Sequence, residues 1–149
     1  MQPDVSMIGF LTADGAIANM IDGDDATFWK PYADGLDSYT VPPVGESGSV
    51  IADGSPRPAI QFDFGESVRV PQFRVKVGGR ASLGWCFLIA SDLPATSLTD
   101  TVQPGDVNAG GLYTVAQMNS NAAIDTNART IVIRKRFWRF VFFKQPPAA

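Results

Sequence analysis

Ala59-Ile60-Gln61-Phe62-Asp63-Phe64 alternates strictly: Ile60, Phe62 and Phe64 share one parity, Gln61 and Asp63 the other. A period of two is the mark of a strand with one face on a core. Gly65-Glu66-Ser67 follows as an expected turn. Val68 to Val77 then alternates again, with Phe73, Val75 and Val77 opposed to Arg74 and Lys76. Pro71 lacks an N–H for a ladder, so it places an edge or a bulge in that second strand.

Outward from this pair the same signal recurs in short pieces. Val5 to Leu11 is an expected first strand. Trp85 to Ala90 is apolar at both parities, as in a strand covered on both faces. Leu112 to Gln117, Arg129 to Arg134 and Phe137 to Lys144 complete the set. Between them lie loops: residues 12 to 27, with room for one helical turn, residues 91 to 111, and residues 118 to 128. The 30–58 segment is polar and punctuated by proline and glycine, and a segment of that length without regular structure is often functional. About eight short strands joined by turns predict an all-β fold, a β-sandwich or jelly roll. The 149 residues suit one domain spanning 1–149.

Composition narrows the function classes. Hydrophobic residues make up 45% and charged residues 18%, which excludes a solvated disordered chain. The net charge is −3, so phosphate contacts gain little and nucleic acid is not an expected partner. Thirteen of the 15 acids are aspartates, the exceptions being Glu46 and Glu66, and aspartate favours turns over strands. No histidine is present, which removes the imidazole general base and the Ser-His-Asp and Cys-His arrangements. The single cysteine, Cys86, sits in an apolar run and reads as a small buried hydrophobe. The N-terminus has neither a basic nor an apolar signal region, and no apolar run is long enough to span a membrane. The sequence reads as a protein made in a cytoplasm, without membrane insertion.

Three segments, in order, resemble the discoidin family, also called the coagulation-factor type C domain. Asn19-Met20-Ile21-Asp22-Gly23-Asp24-Asp25-Ala26-Thr27-Phe28-Trp29 is similar to its opening motif. Ala59-Ile60-Gln61-Phe62-Asp63-Phe64-Gly65 resembles its apolar-Gln-apolar-Asp-Leu-Gly strand, and Arg136-Phe137-Trp138-Arg139-Phe140 its closing strand. The resemblance implies a galactose-binding-like jelly roll and a non-catalytic module for sugars, lipid headgroups or proteins. The sequence departs from the family in a longer spacer between Trp29 and Ala59, in lacking a cysteine pair, and in lacking the acid near the C-terminus that often completes a calcium site.

Asp22, Asp25 and Thr27 are candidate ligands for a structural calcium ion, since a tight Asp-Gly-Asp turn gathers carboxylates and carbonyls. The alternative is an Asx turn whose side chains cap their own backbone. Tyr32, Asp34, Asp37, Tyr39 and Arg57 are candidate sugar contacts, flat aromatic faces beside hydrogen-bonding groups. Trp29 reads as core packing. Arg134 to Arg139 interleaves basic and aromatic residues in the manner of a single-strand nucleic-acid platform. It reads better as a charged turn leading into a strand whose Trp138, Phe140 and Phe142 face the core. Arg139 can instead pair with a buried carboxylate such as Asp63, as a specificity device for the fold more than a large gain in stability. The last strand is apolar at both parities, so either the chain covers both faces or a partner subunit covers one.

Two functions fit. The first is a non-catalytic assembly component, oligomeric and in contact with other virion proteins, placed in a bacteriophage tail, baseplate or capsid decoration. The second is a carbohydrate-binding module for cell-surface glycans.

Overall fold

The last strand of the chain is the middle strand of its main sheet. In a computed structural model, which describes residues 2–8, 10–14, 16–24, 26–27, 30–33, 59–75, 85–114, 123–126, 128 and 132–143, nine strands form. They are β1 (Asp4–Ile8), β2 (Phe10–Asp14), β3 (Lys30–Ala33), β4 (Ala59–Val68), β5 (Gln72–Phe73), β6 (Trp85–Ser91), β7 (Val107–Thr114), β8 (Ile124–Asp125) and β9 (Lys135–Phe143). A five-stranded sheet has the order β1-β4-β9-β6-β7, and the pairs β2-β3 and β5-β8 stand apart from it. All pairings are antiparallel. The fold is all-β. No helix among the described residues is long and apolar enough to cross a membrane.

Register follows the alternation. Ile60 opposes Phe140 and Phe62 opposes Trp138 across β4 and β9, while Cys86, Leu88 and Ala90 of β6 oppose Phe142, Phe140 and Trp138. These residues make one apolar face, extended by Val5 and Met7 of β1 and by Val107 and Ala109 of β7. Further apolar residues pack on it: Val68 at the end of β4, Val70, Phe73 and Val75 in and around β5, with Ala128 and Ile133. The Phe73 ring meets Phe140 edge-on, with centroids 5.0 Å apart. Thr126 ties this group together, donating from its N–H to Pro71 O (2.9 Å) and from its hydroxyl to Val70 O (2.6 Å). The arrangement is sandwich-like, with Phe73 of β5 against the large sheet.

Several expected elements take a different form. Gly65-Glu66-Ser67 is not a turn; β4 runs through it as a bulge. Five steps from Asp63 to Val68 oppose only two on β9, from Phe137 to Lys135. Gly65 makes this possible with a φ of +77°, a conformation without penalty only for glycine. The strand expected over Val68 to Val77 is cut at Pro71 to the two residues of β5, yet its alternation survives, with Arg69 and Arg74 exposed. The strand expected over Arg129 to Arg134 is not formed at residues 132–134, where Val132 is exposed and Ile133 buried; residues 129–131 lie outside the described residues. β7 begins at Val107, five residues ahead of the expected Leu112, because a bulge sits where Asn108, Gly110 and Gly111 disguise the strand. Four residues of the long 30–58 segment form β3, paired with β2, and residues 34–58 lie outside the described residues. The one helical turn expected between residues 12 and 27 is a 3₁₀ turn, Ile17–Ile21.

Both faces of β9 are covered by the chain itself. Phe137, Trp138, Arg139, Phe140, Val141 and Phe142 are all buried. Burial within one chain removes the alternative in which a partner subunit covers this strand.

Candidate functional site

Two aspartate-rich segments carry the polar chemistry of the described residues. The first is the turn after the 3₁₀ element. Asp22 Oδ1 accepts the Asp24 N–H at 2.8 Å, and Asp22 Oδ2 accepts the Thr27 hydroxyl. Asp24 Oδ1 accepts the Ala26 N–H at 2.9 Å, and the Thr27 N–H returns to Asp24 O at 3.1 Å. Each carboxylate thus caps the backbone two residues on, which is an Asx turn. The Thr27 hydroxyl, then the Asp24 amide, hold the Asp22 carboxyl below its ordinary value. Among the described residues no group of three or more His, Cys, Asp or Glu side chains is placed to hold a metal ion. Asp25, the third expected calcium ligand, lies outside the described residues, so Asp22 and Thr27 are seen together without it.

The second segment is the connection between β6 and β7, residues 92–106. It folds back across the face of the sheet opposite the core, over β9 and β4. There it meets Arg139, whose side chain is fully buried. The guanidinium donates in four directions: Nη2 to Asp106 Oδ2 (2.9 Å), Nε to Thr101 O (3.0 Å), Nη1 to Leu93 O (2.9 Å) and Nη1 to Gln61 Oε1 (2.9 Å). Burial pushes Arg139 below its ordinary value, and the Asp106 carboxylate opposes that shift. A buried charge is tolerated when it is paired and its donors are used, and both conditions are met here.

Gln61 directly opposes Arg139 in the ladder, and its Oε1 also accepts the Ala95 N–H at 2.8 Å. Further out, Asp100 caps the tip by accepting from the Thr96 and Ser97 amides at 2.9 Å and 2.8 Å. Burial raises the Asp100 carboxyl, but the bonds from Ser97 and Thr96 outweigh it and leave it below its ordinary value. Gln103 donates from Nε2 to Pro94 O and Asp100 O, and its own amide donates to Asp106 Oδ2. An irregular segment must find partners for its backbone polar groups, and here side chains supply them.

Arg139 therefore does not pair with Asp63, as the sequence had suggested. At Asp63 the β4 bulge begins, and the carboxylate turns to Arg136, accepting from Nε at 2.8 Å and Nη2 at 3.0 Å. The Arg136 bond, against burial, and then the Gly65 amide hold the Asp63 carboxyl below its ordinary value. The basic-aromatic run Arg134 to Arg139 is no stacking platform. Lys135 bridges to Asp92 at 2.7 Å, Arg136 is spent on Asp63, and Trp138 and Arg139 are buried. Burial also pushes the Cys86 thiol up to about 12, so it stays a neutral core group.

Of the expected sugar contacts, Tyr32 falls in β3, opposite Leu11 of β2. Asp34, Asp37, Tyr39 and Arg57 lie outside the described residues, as does Trp29. Sequence reasoning missed Asp106, Asp100 and Thr101. The available signal was an arginine in a strand buried on both faces, which required a partner acid somewhere in the chain. Only the return of the connection over the sheet says which one.

No family model, curated protein or solved structure compared with the chain gives a significant match.

Proposed function

We propose that the chain is a discoidin-like jelly roll acting as a non-catalytic binding and assembly module, in a bacteriophage virion as a tail, baseplate or capsid-decorating component. The observation that carries the discoidin-like reading is the meeting of its two strand motifs. Gln61 and Asp63 of β4 bond Arg139 and Arg136 of β9, so the polar residues of one motif are the partners of the other. Their joint presence then has one physical cause. The packing of Phe73 of β5 on the five-stranded sheet supports the sandwich half of the reading.

The use made of the carboxylates supports a non-catalytic role. A general acid at neutral pH needs a raised pKa. Asp22, Asp63 and Asp100 are shifted the other way, and each caps backbone or neutralises an arginine. Asp106 is committed to Arg139, Asp125 to Gln72 and Asp92 to Lys135. The assembly setting rests on an acidic chain with one buried cysteine and no cystine to suit an oxidising exterior. The 30–58 segment is the proposed contact region.

The alternative is a carbohydrate-binding module for cell-surface glycans, with Tyr32, Asp34, Asp37, Tyr39 and Arg57 at the sugar. Light scattering coupled to size exclusion, run beside a glycan array, separates the two. Oligomers without glycan signal are expected. A dispersed monomer that binds glycans would overturn the assembly reading in favour of the alternative.

A further inference from the structure

Residues 92–106 have no regular structure, yet they are gripped at four separated points. Arg139 holds Leu93 O, Thr101 O and the Asp106 carboxylate, and Gln61 holds the Ala95 amide. Both gripping side chains come from strands, β9 and β4, that are distant in sequence and opposed in the ladder. Within the segment Ala95, Thr101, Val102 and Asp106 are buried, while Thr96, Ser97 and Thr99 at its tip are exposed. The tip is closed separately by Asp100.

We infer that residues 92–106 form a latched strap, a connection that opens only together with β4 and β9, and that Arg139 with Asp106 is the latch. Loops of this length ordinarily open locally, far below the free energy of global unfolding. The strap departs from that rule because its grip points are inside the protein. The latch closes when Asp106 meets the guanidinium, since this is the one contact between charged partners in the set and both are shielded from water. Arg139 and Asp106 act here as positioning residues.

Amide hydrogen exchange on the intact chain tests this. The reporter is the Ala95 amide, whose acceptor is Gln61 and not Asp106. In the unaltered protein Ala95 is expected to exchange within about tenfold of the slowest amides of Trp138 to Val141. Exchange at Ala95 hundredfold or more faster than those amides, roughly the range of a locally opening loop, would overturn the strap. In Asp106→Asn, Ala95 is expected to accelerate more than the β9 amides do. Equal acceleration of both would overturn the latch, because the substitution would then act on the whole fold. Asp100→Asn is the control: Thr96 and Ser97 accelerate and Ala95 does not. If Asp106→Asn fails to fold, the comparison in the unaltered protein still decides whether the strap moves with β9.

Discussion

The Asp22–Thr27 turn and the 92–106 strap are built from the same materials, aspartate, threonine and glycine, and behave as opposites. Among the described residues of the turn the hydrogen bonds close within five residues, and Asp22 and Asp24 are exposed. In the strap the local caps of Asp100 and Asp106 are supplemented by bonds to Gln61 and Arg139, which lie 33 to 46 positions away. Asx chemistry shapes a loop in either case. What decides whether a loop belongs to the core is whether a strand residue reaches up to grip it.

The largest break in this comparison is expected from Arg139→Ala. It leaves Asp106 buried without its counter-charge and strips Thr101 O and Leu93 O of their donor. A loss of about 3–5 kcal/mol follows, read as a fall in urea midpoint. Gln61→Leu keeps the volume but orphans the Ala95 amide and one guanidinium donor. It should cost about 1–3 kcal/mol on the same assay. Asp63→Asn removes a bridge whose arginine is half exposed. Solvent screening weakens it, so a double-mutant cycle should give Arg136–Asp63 a weaker coupling than Arg139–Asp106.

Acid sharpens the contrast from another side. Asp22, Asp63 and Asp100 have folded-state pKa values below their ordinary ones. Their contribution is fully present above the unfolded carboxylate range, about pH 4, and is lost as pH falls through the lower folded values. Thermal melts between neutral pH and pH 2 should therefore show stability declining only below about pH 4. The smallest effect is expected at the turn. Asp22→Asn should speed exchange of the Asp24 amide and leave Ala95 untouched, and excess calcium or chelator should not move the melting temperature. A calcium-dependent rise would instead draw Asp25 into the site beside Asp22 and Thr27.

The strand faces were legible because alternation reports burial directly: Ile60, Phe62, Trp138, Phe140 and Phe142 all fall on the face the sequence assigns. The burial of both faces of β6, from Cys86 to Ala90, was equally legible, since apolar residues at both parities mark a strand covered twice, although the middle of the sheet belongs to β9. The bulges were not. Gly65 and the Gly110-Gly111 pair look like turns in sequence, because glycine marks a conformation and not the element that contains it. In sequence, residues 91 to 111 look like an ordinary loop. Its docking depends on which carboxylate meets Arg139, and Asp106 and Asp63 are indistinguishable in sequence until the bulge turns Asp63 toward Arg136. The turn at Asp22 was legible as to chemistry, with both the capped and the calcium-bound forms written in the same residues.

The bulge in β7 has a consequence for crowding. β7 ends the five-stranded sheet, and among the described residues it has a neighbour on one side only. A flat outer strand is a template on which further chains add in register, the route to fibrous aggregates. From Asn108 to Leu112, β7 spends four steps where β6 spends two, so its outer row of amides and carbonyls breaks step midway. An incoming extended segment can match one half of that row or the other, not both. A β7 edge broken in this way resists edge-to-edge stacking of copies of the chain.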